Sequence, residues 1–213
     1  MIISHNHPKY KEIENRINGA YWYSYEIVKN IIPRVVTDRN WITINIPGAG
    51  ADHSIVFIHN NLKFNQYEWL ADYKDLILVC SQRKTLYKVH HLGTPVYLPL
   101  SIDINYVKQF YQAARDIDTA YVGRREKLKN IAMPKGIHYI CNCKRRRMLA
   151  ELGRCSRVYA IGRCAIEAKC LGVEVLPYDP RYPDPSIWEV KDNKEGAKLL
   201  QRLIDREDLN DRK

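Results

Sequence analysis

The sequence predicts an α/β fold made of two small Rossmann-like halves whose parallel sheets face a cleft. Short apolar runs typical of buried strands alternate with helical patterns along almost all of the 213 residues, and this alternation is typical of parallel sheets covered by helices on both faces. A helical stretch rich in Tyr, Gln and Lys, residues 104–116, separates two series of such units. Glycine, serine and histidine residues follow several predicted strands, where open α/β sheets bind ligands.

The first half, residues 1–103, combines apolar strands with helices that end at Pro or Gly. Pro33 closes the first helix, and the continuous apolar run Leu76–Cys80 is typical of a strand buried on both faces. Ser81 can cap the helix that follows, and Gly93 can end it. The predicted elements are helix 21–31, strands 41–46 and 54–59, helix 65–73, strand 76–80, helix 82–91 and strand 96–98.

The second half, residues 104–186, starts with the helix 104–116 and then restarts the alternation. Residues 187–213 are assigned to a C-terminal helix and a charged tail that frays. The further predicted elements are strands 119–122, 137–140, 158–161 and 173–176 and helices 144–153, 163–171 and 194–204.

A βαβ unit around Gly162 is the most informative segment. A short apolar strand leads to this glycine, a helix follows it, and Gly172 ends the helix before the next strand. A glycine at the strand-to-helix turn allows the first N–H groups of the helix to meet an anion. Glu167 lies one turn into the helix, within reach of a sugar hydroxyl beside such an anion. The segment therefore predicts binding of a nucleotide diphosphate.

The net charge of +10 is consistent either with plain solubility or with a polyanionic partner. Such a partner would be a nucleotide donor, a nucleic acid or a phosphorylated glycan. The densest basic run is either a solvated helix start or a surface for an anionic acceptor such as DNA. Its four residues are Lys144, Arg145, Arg146 and Arg147.

Several classes of protein and site are excluded by absent patterns. No apolar run approaches the roughly 20 residues of a membrane span, and no basic segment followed by an apolar core begins the chain, which predicts a cytoplasmic location. The six cysteines lack the spacing of a zinc site and are interpreted as reduced thiols. Asp116 and Asp118 precede a predicted strand rather than following one, so no metal requirement is expected. The oligomeric state stays open.

Short motifs occur in a recognisable order along the chain. They are NGA at residues 18–20, IVFIHN at 55–60, LILVCS at 76–81, GTPVYLPLSID at 93–103, YVGR at 121–124 and the glycine-bounded unit at 162–172. In this order they resemble a retaining glycosyltransferase of the GT-B type, over about residues 15–204. The stretches NGAYWYSYEIVKN and PYDPRYPDPSIWE also resemble small glycosyltransferase-like proteins of bacteriophages and prophages, for which the location would be the host cytoplasm.

The resemblance implies metal-independent transfer of a sugar, with retention, from a nucleotide sugar to an unknown acceptor, without a further cofactor. Arg124 matches the diphosphate-binding arginine of the family, with Lys127 or Lys129 as its partner, and Glu167 matches the glutamate that holds the donor ribose. Gly19 matches an N-terminal glycine loop near the phosphates. The backbone N–H groups of the turn would hold the phosphates, and the turn consists of Gly162, Arg163, Cys164 and Ala165.

The candidates for catalysis lie in the first half. His59, at the end of a predicted strand, is similar to a family histidine that faces the donor sugar, and Asp52 and His53 are possible acid/base groups. Tyr159 stands where the family often has a second glutamate, eight residues before the one that holds the ribose. This difference and the short chain favour the alternative prediction of a non-catalytic nucleotide-binding or nucleic-acid-binding viral protein.

Overall fold

The computed structural model describes residues 2–4, 19–43, 50–58, 67–124 and 133–210. These residues form an α/β structure with two parallel sheets, as expected for Rossmann-like halves. The described residues divide into two compact units: those in 2–4, in 20–101 and from Asn193 onward belong to the first, and Gly19 and those in 102–192 belong to the second. The sequence placed the join between residues 103 and 104 and treated residues 187–213 separately.

Parallel strands make up both sheets. The first sheet has the order β1-β2-β3-β4-β5 and the second has the order β7-β6-β8-β9. β1 was not predicted from the sequence. The strands are β1 Ile2–Ser4, β2 Asn40–Ile42, β3 Ser54–Ile58, β4 Leu76–Cys80, β5 Thr94–Tyr97, β6 Ile117–Gly123, β7 His138–Cys141, β8 Cys155–Tyr159 and β9 Glu174–Leu176.

Six α-helices are present among the described residues, and several differ from their predicted lengths. They are α1 Gly19–Glu26, α2 Arg83–Val89, α3 Ile104–Lys108, α4 Arg145–Gly153, α5 Arg163–Cys170 and α6 Asn193–Asn210. α1 continues as a π-helical turn and a 3-10 turn that contains Pro33. The predicted helix 65–73 is instead a 3-10 helix over Glu68–Asp72, and Gln82 rather than Ser81 precedes α2.

The first sheet is covered on both faces, and its side chains alternate between two apolar clusters. Trp41, Phe57 and Val79 pack with residues of α1 and α6, whereas Val56 and Leu78 pack with residues of the 3-10 helix and α2. All five residues of β3 and of β4 are buried. A strand buried on both faces is typical of parallel sheets, which explains its continuous apolar sequence.

In the second unit, α4 and α5 pack against the sheet. The buried side chains of α4 and α5 include Leu149, Leu152 and Ile166. Gly153 ends α4 in close contact with the backbone, since a Cβ atom added there would lie 2.0 Å from the carbonyl oxygen of Phe110. This contact is possible because Phe110 lies just beyond the short helix α3, where the sequence predicted a helix to residue 116.

The described residues contain no helix that is both long and apolar enough to cross a membrane. The longest helix, α6, has 18 residues and extends well beyond the predicted range 194–204. Its apolar residues Ala197, Leu200 and Ile204 are buried in the first unit. The segment predicted to fray, from residue 205, therefore begins inside a helix.

Candidate functional site

The order of strands reverses once in the second unit, and the reversal defines a candidate site. From β6 the chain moves to β7 on one side and then crosses to β8 on the other side of β6. At such a reversal, the connections that leave the carboxyl ends of the two neighbouring strands run in opposite directions. The space between these connections is the usual ligand-binding crevice of open α/β sheets. The described strands of the first sheet follow chain order without a reversal. The topology therefore favours the second unit.

Gly162 lies three residues beyond the last residue of β8, at the carboxyl end of this strand. It has φ +61° and ψ −134°, a backbone conformation that favours glycine, and it precedes the first residue of α5. A Cβ atom added at Gly162 would meet no atom within 4 Å, so there is open space beside the turn. The carbonyl oxygen of Gly162 already accepts the N–H of Ala165 at 3.1 Å. Ala165 is therefore less suited than the preceding residues to donate to a phosphate.

Glu167 lies inside the unit and is held by two arginines. Its side chain is 0% exposed, and its Oε1 lies 2.6 Å from Nη1 of Arg145 and accepts the Nε–H of Arg163 at 2.8 Å. Its Oε2 is buried and has no hydrogen-bond partner among the described residues. The role of ribose ligand stays a prediction for Glu167, and it requires movement of the surrounding side chains.

The basic run divides between the interior and the surface. Arg145 is buried, while Lys144, Arg146 and Arg147 are exposed. Arg147 donates from Nε to Glu151 at 2.6 Å, one turn further along α4. Three of the four residues therefore lie on the surface where a nucleic acid could contact them, whereas Arg145 belongs to the cluster around Glu167.

Arg124 follows β6 on the other side of the reversal. It is exposed, and its carbonyl oxygen accepts the hydroxyl of Tyr121 at 3.1 Å, which fixes the turn after the strand. Tyr121 of β6 lies opposite Tyr159 of β8 in the sheet. Gly123 follows Tyr121 by two residues, and Gly162 follows Tyr159 by three. The structure thus brings together at one edge of the sheet the turns that carry Arg124 and Gly162.

Tyrosine rings lie across three neighbouring strands near this edge. Tyr139, Tyr121 and Tyr159 share one register, and Tyr178 packs edge-on against Tyr121 with ring centroids 5.4 Å apart. Burial, reinforced by the neighbouring Tyr121, raises the pKa of the Tyr178 hydroxyl, which stays protonated. Tyr139 is 43% exposed. Exposed aromatic faces of this kind can stack on a nucleobase, and this group was not predicted from the sequence.

Asp52 and His53 lie in the first unit, immediately before β3, at the amino end of that strand. The carboxylate of Asp52 accepts the backbone N–H of Lys74 at 2.7 Å. His53 contacts Asp75 through Nδ1 at 2.5 Å and Asp38 through Nε2 at 3.1 Å. These contacts tie together the chain segments that enter β2, β3 and β4. They are amino ends of strands, where contacts of this kind serve stability, so the geometry does not favour a role in catalysis.

The His53 contacts predict a pH dependence of stability. The hydrogen bond to Asp75 raises the pKa of His53 above its ordinary value of 6.5. Protonated His53 therefore stabilises the fold fully below about pH 6.5, and this contribution is lost as the pH rises through the higher folded pKa. We expect the melting temperature to fall over that interval and the His53→Gln variant to show a flatter profile. Equal profiles for the two proteins would contradict the assignment.

Three predicted site residues lie outside the described residues: His59, Lys127 and Lys129. Gly19 is the first residue of α1 rather than part of a loop. Among the described side chains, His, Cys, Asp and Glu form no group of three or more that could hold a metal ion. The six cysteines are free thiols, and burial raises the pKa of Cys80 to about 12 and that of Cys155 to about 11.

Comparisons with known proteins do not identify a family for this chain. A scan against protein-family models, a search of curated proteins and a search of solved structures each give no match. The proposed function therefore rests on the second unit itself: on its strand reversal, on the Gly162 turn and on the charged groups around that turn.

Proposed function

We propose that the second unit binds the diphosphate of a nucleotide sugar and that the chain is a retaining glycosyltransferase of the GT-B type. The observation that carries the proposal is the reversal of strand order at β6, together with the Gly162 turn and the start of α5 after the adjacent strand β8. Helix N-termini at such reversals bind phosphate groups, because the first N–H groups of the helix have no partner within it.

The positive charge near the site supports a phosphate ligand. Arg124 follows β6 at the same edge of the sheet, and the chain as a whole has a net charge of +10. During transfer, the bond between the anomeric carbon and the diphosphate oxygen breaks, the acceptor oxygen bonds to that carbon, and the acceptor proton passes to the leaving diphosphate. Negative charge develops on this leaving group in the transition state. Arg124 and the N-terminus of α5 stabilise that charge. Either Lys127 or Lys129 assists, and no metal ion is needed, so a chelator leaves the rate unchanged.

The proposal is tested by thermal unfolding with UDP, GDP, CDP, ADP and their sugars. A ligand present at 100 times its dissociation constant adds about 2.7 kcal/mol, which gives a clear rise in melting temperature. We expect one nucleotide sugar to produce this rise in the wild type and Arg124→Gln to reduce it. Arg154→Gln is the matched control, because Arg154 lies before β8 at the opposite edge of the same sheet.

Three further outcomes decide between functions. Release of free nucleoside diphosphate from the bound donor would support catalysis, whereas binding by both the wild type and Arg154→Gln without turnover would support a non-catalytic nucleotide-binding protein. Tyr159 favours this second candidate, since it provides no carboxylate for the donor sugar. Absence of any response to the nucleotides would overturn both candidates, and DNA binding that weakens with salt would then favour the surface around Arg146.

A further inference from the structure

The outward face of α2 combines an exposed aromatic ring with exposed basic side chains. Tyr87 is 81% exposed, although the helix itself packs against the first unit through the buried Val89. The other exposed residues of this face lie within one turn of Tyr87 in the sequence, and the four together are here called the Tyr87 surface. They are Arg83, Lys84, Tyr87 and Lys88.

The helix α2 contributes charge of one sign only. Residues 76–102 contain no Asp or Glu, although the chain has 24 acidic residues. Outward helix faces commonly carry both signs, since opposite charges one turn apart stabilise a helix. Beyond the end of α2, Glu68 lies 3.1 Å from Nε2 of His91. The segment that carries the Tyr87 surface therefore supplies attraction for an anion and no carboxylate to repel it.

Arg83 is oriented by an aromatic ring rather than by a carboxylate. Its guanidinium carbon lies 4.6 Å from the ring centroid of Tyr97, the last residue of β5. Among the described residues, no carboxylate forms an ion pair with Arg83. A guanidinium that stacks on a ring keeps the N–H groups of its edge available, and the stacking limits the freedom lost when a phosphate binds. The contact with Tyr97 therefore prepares Arg83 for an anionic ligand.

The spacing of Arg83 and Tyr87 indicates the kind of ligand. They lie one helical turn apart, so their side chains are neighbours on the helix surface. A ligand that contacts both has to present a flat ring beside an anionic group. Single-stranded nucleic acid does so at every nucleotide, because its unpaired bases can stack on aromatic side chains. In a duplex, neighbouring bases cover these ring faces, and an acidic peptide offers carboxylates without such a series of rings.

We propose that the Tyr87 surface binds single-stranded nucleic acid, with a base stacked on Tyr87 and a phosphate held by Arg83. This surface belongs to the first unit, so the inference is independent of the nucleotide-sugar site proposed in the second unit. It is also distinct from the surface around Arg146, which belongs to the second unit. The affinity then has an ionic part that salt weakens and a stacking part that depends on the ring.

The test measures binding of a fluorescent oligodeoxythymidine of about 12 nucleotides to the full chain by anisotropy, from about 50 mM salt upward. Tyr87→Ala should weaken binding about tenfold and leave its salt dependence unchanged, because the ring contacts a base. Tyr87→Phe should retain the affinity. Arg83→Gln should weaken binding and lower the slope of log affinity against log salt concentration by about 0.7, the value for one phosphate contact on a single strand.

Tyr111→Ala and Arg146→Gln are the matched controls, since they remove an exposed tyrosine and an exposed arginine from the second unit. Both should bind the oligonucleotide as the wild type does. Equal binding by Tyr87→Ala, an unchanged salt slope in Arg83→Gln, or an equal loss of affinity in a control would overturn the inference. So would tighter binding of a duplex of the same length.

A wild type that binds no oligonucleotide would also reject the inference, and binding to vesicles of anionic lipid would then assign the Tyr87 surface to a membrane. Oligonucleotide binding that depends on Tyr87, in a protein that responds to no nucleotide sugar, would keep the inference and reject the glycosyltransferase proposal. The two proposals therefore fail separately.

Discussion

Glu167→Ala is expected to lower the free energy of unfolding by about 3–5 kcal/mol, the range for breaking a buried ion pair. The substitution removes the buried carboxylate that Arg145 and Arg163 share, and with it two close charge-charge contacts. Urea unfolding followed by circular dichroism measures the change. Glu174→Ala is the control, because Glu174 is an exposed residue of β9 and its loss should change stability by no more than about 0.5 kcal/mol.

A second variant separates lost charge balance from lost packing. Replacing all three charged residues by apolar ones, as Arg145→Met, Arg163→Met and Glu167→Leu, should restore most of the stability lost in Glu167→Ala. A loss below about 1 kcal/mol in Glu167→Ala would contradict the expected value for a buried pair, and would show that water or other groups reach the two arginines.

Gly153→Ala is expected to lower the free energy of unfolding by about 2–3 kcal/mol, in the upper part of the range for overpacking. Alanine normally stabilises a helix by about 1 kcal/mol relative to glycine. Here the added methyl would lie 2.0 Å from the carbonyl oxygen of Phe110. This oxygen belongs to the backbone and cannot rotate away as a side-chain atom could. The steric cost therefore exceeds the gain in helix propensity, and α4 has to move.

Gly196→Ala is the matched control for this prediction. Gly196 also lies in a helix, but the atom nearest to an added Cβ is the Ser101 hydroxyl oxygen at 2.8 Å. That hydroxyl belongs to a side chain, which can rotate, although it donates to Asn193 at 2.8 Å in the present arrangement. Urea unfolding should therefore show a smaller loss than for Gly153→Ala. An equal or larger loss would contradict the distinction between backbone and side-chain obstruction.

The sequence predicted strands well where both faces are buried and less well where one face is exposed. β4 has the predicted bounds because every residue from Leu76 to Cys80 is buried and apolar. β8 begins three residues earlier than predicted, at Cys155, because it includes the exposed Arg157. Arg157 pairs with Asp118 across the sheet at 2.7 Å, a contact that only the strand order reveals.

The candidate site was partly accessible from the sequence. The Gly162 turn follows from a glycine between an apolar run and a helical pattern, and the spacing of Arg163 and Glu167 is that of neighbours on one helix face. The partnership of Arg145 with Glu167 spans 22 positions of the chain and needs the packing of α4 against α5. Similarly, the contacts of His53 at the amino end of β3 depend on the pairing of β3 with its neighbouring strands.

The place of α6 in the first unit has a consequence for the order of events during synthesis. Leu200 and Ile204 pack with Ile27 and Ile31, which leave the ribosome some 170 residues earlier. The first unit therefore cannot complete its core until α6 has been synthesised, whereas the residues of the second unit emerge before α6 does. A chain that stops before Asn193 would keep an apolar face of the first sheet uncovered and would be exposed to chaperones and proteases.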